Sequence, residues 1–167
     1  VPDMIRYPRL AIGSVLPHSC SQLLSWSAMA WFTAGGTQVQ HFASRCCYAN
    51  SGAASVTGRP SRHLDTWLMS AELCLASFQR GYGDSELAII DGPFDSARAD
   101  TDTGGGSLDT LCEWLQLPRL AVIDVERLKT SGTLPARPPS AAALLLDRVS
   151  DKHDFQHFAQ RFADAWG

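Results

Sequence analysis

Short, unbroken apolar runs alternate with helix-patterned segments along this chain, and that alternation restricts its fold more than any other feature. The apolar runs are residues 9–15, 87–90, 120–123 and 142–146, and an alternating segment at 37–42 adds a fifth predicted strand. Helices are predicted at 19–32, 64–78, 107–117 and 152–166. Strands that are apolar on both faces are typical of parallel sheets covered by helices on both sides. The pattern therefore predicts a doubly wound α/β fold with a mainly parallel sheet.

The predicted helices differ in how deeply we expect them to be buried. Segment 19–32 is apolar nearly all round, which predicts a central helix covered on several sides. In segment 64–78 one stripe is apolar, and it includes Leu64, Trp67, Leu68, Cys74 and Phe78. The stripe of the last helix holds Phe155, Phe158, Phe162 and Trp166. Segment 43–62 is predicted to be a loop, and 127–141, with Gly132 and three prolines, is predicted to be a connection.

Length and charge exclude several classes of protein. A chain of 167 residues fits one domain, 1–167. Its formal net charge of -3 argues against nucleic-acid binding through bulk electrostatics. No apolar run reaches the length of a membrane span, and no signal peptide is recognisable. The five cysteines form no CxxC pair, which favours a reduced, cytoplasmic protein.

The most informative segment for ligand binding follows the first predicted strand. In sheets of this kind, ligands bind beyond the carboxyl ends of the strands. Residues 13–21 read GSVLPHSCS and occupy the place of a phosphate-binding loop, which needs glycines, a lysine and a serine or threonine. Only Gly13 and Ser21 fit, and Pro17 removes an N–H donor. The pattern alone favours an ordinary strand–turn–helix junction.

A resemblance to a known family rests on segment 57–69, which reads TGRPSRHLDTWLM. It resembles the TGRPSRNLDxWLM segment of cobyrinic acid a,c-diamide synthases. Segments 89–95 (IIDGPFD), 118–124 (PRLAVID) and 144–149 (LLLDRV) are similar to family features in the same order. The resemblance covers residues 9–150 and implies the amino-terminal, P-loop NTPase-like domain of that family. It also implies ATP- and Mg²⁺-dependent amidation of corrin carboxylates, with ammonia from a glutamine amidotransferase domain.

Carried over to this chain, the resemblance implies a degenerate nucleotide loop. The family's GTxSGxGKT falls on 13–21 and assigns the loop to Gly13, Ser14, Ser19, Cys20 and Ser21. Cys20 replaces the phosphate-binding lysine, and Ser21 replaces the threonine that binds magnesium. After the second strand, 43–50 keeps only Tyr48 of the family's KVGPDYID, while Asp91 stands in for an acidic residue on the metal side. Loss of the lysine and of two carboxylates removes charge stabilisation that phosphoryl transfer needs.

Two functions follow from this comparison. The first is a degenerate homologue of the amidoligase domain, without ATPase activity, that acts in binding or interaction and lacks the glutaminase domain. The alternative is an active ATP-dependent amidoligase subunit of cobalamin biosynthesis, with ATP and Mg²⁺ as cofactors and a separate glutaminase partner. The resemblance is compatible with a homodimer, and we expect neither a nucleic-acid partner nor a membrane.

Other polar residues have both a structural and a functional interpretation. Segment 57–69 contributes a polar cluster of Arg59, Ser61, Arg62 and Asp65, which is interpreted either as a capped helix start or as an anion-binding or subunit-contact site. Three weaker candidates are a reactive thiol at Cys20 beside His18, a metal pair His153 and His157, and a metal site of His41 with Cys46 and Cys47. For the histidine pair the pattern favours a solvated helix face. Cys74 and Cys112 are predicted to be buried structural residues.

Overall fold

The computed structural model describes residues 7–17, 19, 21–45, 51–97 and 106–167. The strands in this part of the chain are β1 (Arg9–Ser14), β2 (Val39–Ala43), β3 (Arg62–His63), β4 (Leu87–Pro93), β5 (Arg119–Asp124) and β6 (Ala141–Asp147). The α-helices are α1 (Gln22–Ala34), α2 (Ser51–Thr57), α3 (Ala71–Tyr82), α4 (Leu108–Trp114), α5 (Val125–Ser131) and α6 (Lys152–Trp166). A short 3₁₀ helix spans Asp95–Ala97.

The strands form one sheet in the order β3-β2-β4-β1-β5-β6, and every pair is parallel. Strand β1 lies in the middle, where Ile12 pairs with Asp91 of β4 and with Leu120 of β5. Parallel neighbours need crossover connections, and the helices supply them. The predicted doubly wound α/β fold is confirmed.

Helices cover both faces of the sheet, and successive residues of each strand point to opposite sides. On one face, Ile12, Val39 and Ile89 pack beneath α1 and α2. On the other face, Ala11, Phe42 and Ile90 belong to a larger core under α3, α4, α5 and α6. This division places α1 and the end of β1 on the same side of the sheet, where the candidate site lies.

Helix α1 corrects the prediction of a central helix buried all round. Its buried residues are Ser25 and Met29, whereas Leu23 is exposed and Trp31 is 72% exposed. One row of side chains therefore meets the sheet and the opposite row meets solvent. Uniform apolarity cannot distinguish a central helix from a surface helix with an apolar outer face.

The helix predicted at 64–78 begins later, at Ala71. Asp65 closes a turn first, since its Oδ1 accepts from Trp67 N at 2.9 Å and its carbonyl accepts from Met69 N at 2.9 Å. Ser70 then caps α3 by accepting from Leu73 N. Leu64 and Phe78 are buried as predicted, but Trp67 and Leu68 of the predicted stripe are exposed because they lie in the turn.

Two segments predicted to be irregular contain regular structure. Within 43–62 lie α2 and the first residue of β3, which pairs with β2. Within 127–141, most of α5 precedes the prolines, because Asp124 caps its start by accepting from Arg127 N at 3.1 Å. Gly132, in a left-handed conformation at φ 69°, ends it. The helix therefore forms because a capping residue stands at each end, even though the rest of the segment is rich in proline.

Helix α6 confirms half of its predicted stripe. Phe158 and Phe162 are buried, Trp166 is half-buried, and Phe155 is exposed. His153 and His157 are also exposed on this helix. In the described part of the chain, no helix is both long enough and apolar enough to cross a membrane.

Candidate functional site

A cavity opens at the carboxyl ends of β1 and β4, the place where doubly wound sheets bind ligands. Its volume is about 220 Å³. It is lined by Ser14, Ser19, Ser21, Gln22, Asp91, Gly92 and Pro93. Three of the predicted loop residues and the predicted acidic residue Asp91 therefore meet at one cavity. Among the described residues that line it, none carries a positive charge.

The loop that enters this cavity is held by apolar packing. Val15 and Leu16 are buried in the larger core, and Pro17 is exposed. Ser19 closes a turn, since its hydroxyl donates to the carbonyl of Leu16 at 2.8 Å. Cys20, predicted at the lysine position, and His18 beside it lie outside the described residues.

Gly13 has a steric role at the base of the loop. A β-carbon on this residue would lie 2.7 Å from Cε2 of Phe94 and 2.8 Å from Cδ2 of Leu108. Such distances are far inside van der Waals contact, so the close approach of these side chains requires glycine. Gly13 therefore lies against the core rather than on the cavity wall.

Helix α1 starts at the cavity without a capping side chain. Ser21 precedes the helix with φ -81° and ψ -2°, and its side chain makes no capping hydrogen bond. Its carbonyl accepts from Ser25 N at 2.9 Å. The start of a helix carries partial positive charge from its unpaired N–H groups. The cavity thus combines that weak positive end with one carboxylate.

Asp91 is the only charged residue among the described residues of the cavity, and two polar side chains, His41 and then Ser61, lie in line behind it. His41 is 0% exposed, and its Nε2 lies 3.0 Å from Oδ1 of Asp91, an ion pair when the imidazole is protonated. The other ring nitrogen, Nδ1, shares a hydrogen bond with Oγ of Ser61. Ser61 directly precedes β3, His41 lies on β2 and Asp91 on β4, and these three strands are neighbours in the sheet.

The sequence suggested His41 as a metal ligand together with Cys46 and Cys47, but both cysteines lie outside the described residues. The available signal was a histidine within the alternating strand 37–42, at a position expected to face the core. Its partners are 20 residues away in Ser61 and farther away in Asp91, so no local pattern connects them.

The predicted polar cluster of segment 57–69 does not form a single site. Arg59 pairs with Asp84 and donates to Oγ of Ser85 at 2.7 Å, which ties it to the turn before β4. Ser61 faces His41 and Arg62 is exposed, while Asp65 closes the turn before α3. These residues lie at four separate places in the fold, and the side chain that caps α3 is Ser70 rather than a member of the cluster.

A second group of polar side chains, which the sequence did not predict, lies near the carboxyl end of β4. Asp109 Oδ2 accepts from Asp95 N at 2.8 Å, and Ser107 Oγ donates to Asp95 Oδ2 at 2.9 Å. Arg119 Nε lies 3.6 Å from Asp109 Oδ1, and burial raises the pKa of Asp109 above its ordinary value. The network fastens the start of α4 to β5 and to the segment after β4. Ser107 at the start of the helix predicted over 107–117 was the one local signal for it.

The predicted burial of Cys74 and Cys112 is confirmed, and both thiols are free. Burial raises the pKa of each to about 11. Neither thiol therefore has the lowered pKa of a reactive cysteine.

Comparisons with known proteins support the fold and a distant relationship. No protein-family model matches the chain. It is 29% identical over 129 residues to a cobyrinate a,c-diamide synthase of Archaeoglobus fulgidus, covering 75% of this chain and 28% of that protein. Among solved structures it is similar to the signal recognition particle receptor FtsY of Elizabethkingia anophelis, with a TM-score of 0.50 and 13% identity. That match covers 85% of this chain and 49% of the FtsY chain. The chain thus has a P-loop NTPase-like α/β fold and is distantly similar to cobyrinate a,c-diamide synthase.

Proposed function

We propose that this chain is a P-loop-like domain, distantly related to cobyrinate a,c-diamide synthase, that does not bind ATP and acts by binding another molecule. One observation carries the proposal. The cavity at the phosphate-loop position holds a carboxylate, Asp91, and no positively charged side chain among its described residues. Residues 13–21 contain no lysine or arginine either.

Electrostatics makes ATP a poor ligand for such a cavity. P-loop proteins surround the β- and γ-phosphates with backbone N–H groups and a lysine, and Mg²⁺ neutralises further charge. Here the start of α1 offers only the weak positive end of a helix, while Asp91 repels an anion. The combined electrostatic effect of these groups disfavours the binding of a triphosphate.

The size of the cavity supports the same conclusion. Sites for drug-sized ligands measure about 300–1,000 Å³, and this cavity measures 220 Å³. Val15 and Leu16 pack into the core, so the loop is anchored by side chains that a phosphate cradle does not use. The size of the cavity and the packing of its loop, taken over the described residues, support a cavity that does not take a nucleoside triphosphate.

The second candidate, an active amidoligase subunit with a separate glutaminase, has one observation in its favour. Ser21 and Asp91 line the same cavity. A hydroxyl and a carboxylate together hold Mg²⁺ in P-loop NTPases. If this candidate is correct, both Ser21→Ala and Asp91→Asn should abolish ATP hydrolysis.

Calorimetry with ATP and Mg²⁺ distinguishes the two functions. We expect no saturable heat change at millimolar ATP, and we expect no phosphate release when cobyrinic acid and ammonium chloride are added. Micromolar, Mg²⁺-dependent binding of ATP would refute the proposal. Phosphate release that requires cobyrinic acid, and that Asp91→Asn removes, would establish the amidoligase instead.

A further inference from the structure

The helices on the two faces of the sheet differ in charge. Helices α1 and α2, which pack on the same face, contain no aspartate, glutamate, lysine or arginine. Each of the helices α3 to α6, which pack on the other face, contains at least two such residues. In the sequence, no charged residue lies between Arg9 and Arg45. The outer surface of α1 and α2 is therefore uncharged.

The outward side of α1 is apolar as well as uncharged. Leu23 is 65% exposed and Trp31 is 72% exposed, and Ser27 lies midway between them. Ala30 and Ala34 are exposed on the same side of the helix. Residues three or four apart are neighbours on a helix surface, so these five residues form one continuous patch, which we call the α1 patch. Single exposed apolar residues are common, whereas a continuous apolar patch marks an interaction site.

The indole of Trp31 is held in place by its own helix. Its ring meets the ring of Phe32 edge to face, with the ring centroids 4.9 Å apart and the planes at 73°. Phe32 is half-buried and packs against the core under α1. A side chain that is already fixed loses less conformational entropy when a partner binds. Trp31 is thus suited to anchor an interface, where tryptophan often contributes most of the binding energy.

The absence of charge on α1 restricts the kind of surface that can cover the patch. Helices that lie on membranes carry lysine and arginine, which attract anionic lipids, but α1 has neither and the chain has a formal net charge of -3. A charged protein surface would lose the water around its charged groups and find no opposite charge here. The α1 patch therefore needs an apolar, uncharged partner surface, and the α1 patch of a second copy is such a surface.

We propose that this chain forms a symmetric dimer in which the α1 patches of two copies pack against each other. A two-fold axis brings the same surface of both copies together. When two α1 helices cross in antiparallel directions at Ser27, Trp31 of each copy contacts Leu23 of the other, because both residues lie four positions from the crossing point. The small side chains of Ser27 and Ala30 at the centre let the two helices approach closely. The inference does not depend on the proposed function, because no residue of the patch lines the cavity at the end of β1.

The size of this contact determines how strong the dimer should be. A helix of 13 residues is about 20 Å long. Two such helices that cross bury less than about 1,200 Å² in total, which is the range of weak and transient interfaces. We therefore expect a reversible dimer with a Kd in the micromolar range.

Sedimentation velocity of the full chain, from low micromolar to sub-millimolar concentration, measures this equilibrium. We expect the mean mass to rise from that of a monomer toward that of a dimer as the concentration increases. A wild-type chain that stays monomeric throughout would overturn the inference. This measurement needs no variant and so does not depend on the folding of one.

Two tryptophans of similar exposure provide a matched pair of variants. Trp31 lies in the α1 patch, whereas Trp67 is 69% exposed in the turn before α3. Trp31→Lys should raise the Kd by about tenfold or more, since it places a charge in an apolar contact. Trp67→Lys should leave the Kd unchanged, and circular dichroism should show both variants folded. A dimer that Trp31→Lys leaves intact, or that both variants weaken equally, would overturn the assignment.

A cysteine at the crossing point tests the arrangement of the two helices. A short bis-maleimide should link two copies of the Ser27→Cys chain well above the level of the wild type. The control Ser131→Cys, exposed on α5, should stay at the wild-type level. A dimer that Ser27→Cys does not crosslink would overturn the antiparallel crossing. Cosedimentation of a monomeric chain with phosphatidylcholine vesicles, lost in Trp31→Lys, would assign the patch to a membrane instead and overturn the dimer.

Discussion

Leu64 and Leu68 provide a direct test of the structure of segment 57–69, because they are the same residue type in opposite environments. Leu64 is 0% exposed and belongs to the larger core, whereas Leu68 is 60% exposed in the turn closed by Asp65. Replacing a fully buried leucine by alanine removes its transfer free energy and leaves a cavity, at a cost of about 2–5 kcal/mol. Replacing an exposed leucine away from any special contact changes stability by about 0.5 kcal/mol or less.

The two substitutions should therefore separate clearly in unfolding experiments. For a domain of this size, each kcal/mol lowers the Tm by about 2–4 °C. Leu64→Ala should then melt roughly 4–20 °C below the wild type, and Leu68→Ala within about 2 °C of it. Urea unfolding, monitored by circular dichroism, gives the free energies of unfolding of both variants independently. Equal losses for the two variants would mean that both side chains face the core, as in a continuous helix over 64–78, and would refute the turn described here.

Two further predictions concern close packing and buried thiols. Gly13→Ala should lose about 1–3 kcal/mol of stability in urea unfolding, because its new β-carbon would lie 2.7 Å from the ring of Phe94; an unchanged midpoint would contradict the packing. For Cys74 and Cys112, burial raises the pKa from 9.0 to about 11, so the folded chain keeps protons that the unfolded chain loses in that range. Their contribution to stability should therefore fall as pH rises from about 9 to 11, and both should resist iodoacetamide at pH 8 until urea unfolds the chain. Rapid labelling of either thiol in the folded chain, followed by peptide mass spectrometry, would count against its burial.

Some contacts of the candidate site could be anticipated and others could not. The carboxyl ends of β1 and β4 were identifiable because Ser14 lies near the end of one apolar run and Asp91 directly follows another, and such ends meet at one edge of a parallel sheet. The separation of Arg59, Ser61 and Asp65 could not be predicted from the sequence. Residues that are close in sequence can point toward different neighbours in the fold. The absence of a lysine from residues 13–21 was visible in the sequence, but the size of the cavity required the structure.

The sequence by itself determined the layer architecture, because apolar runs of strand length between helical patterns can be buried only as a parallel sheet with helices on both faces. It also determined the burial of Cys74 and Phe78, which follow the period of a helix. Tertiary structure alone decided which surface of α1 faces solvent, since a helix that is apolar all round has no preferred side. It also decided the contact of His41 with Ser61 and Asp91, because strand order in the sheet brings these residues together across separations that no local pattern records.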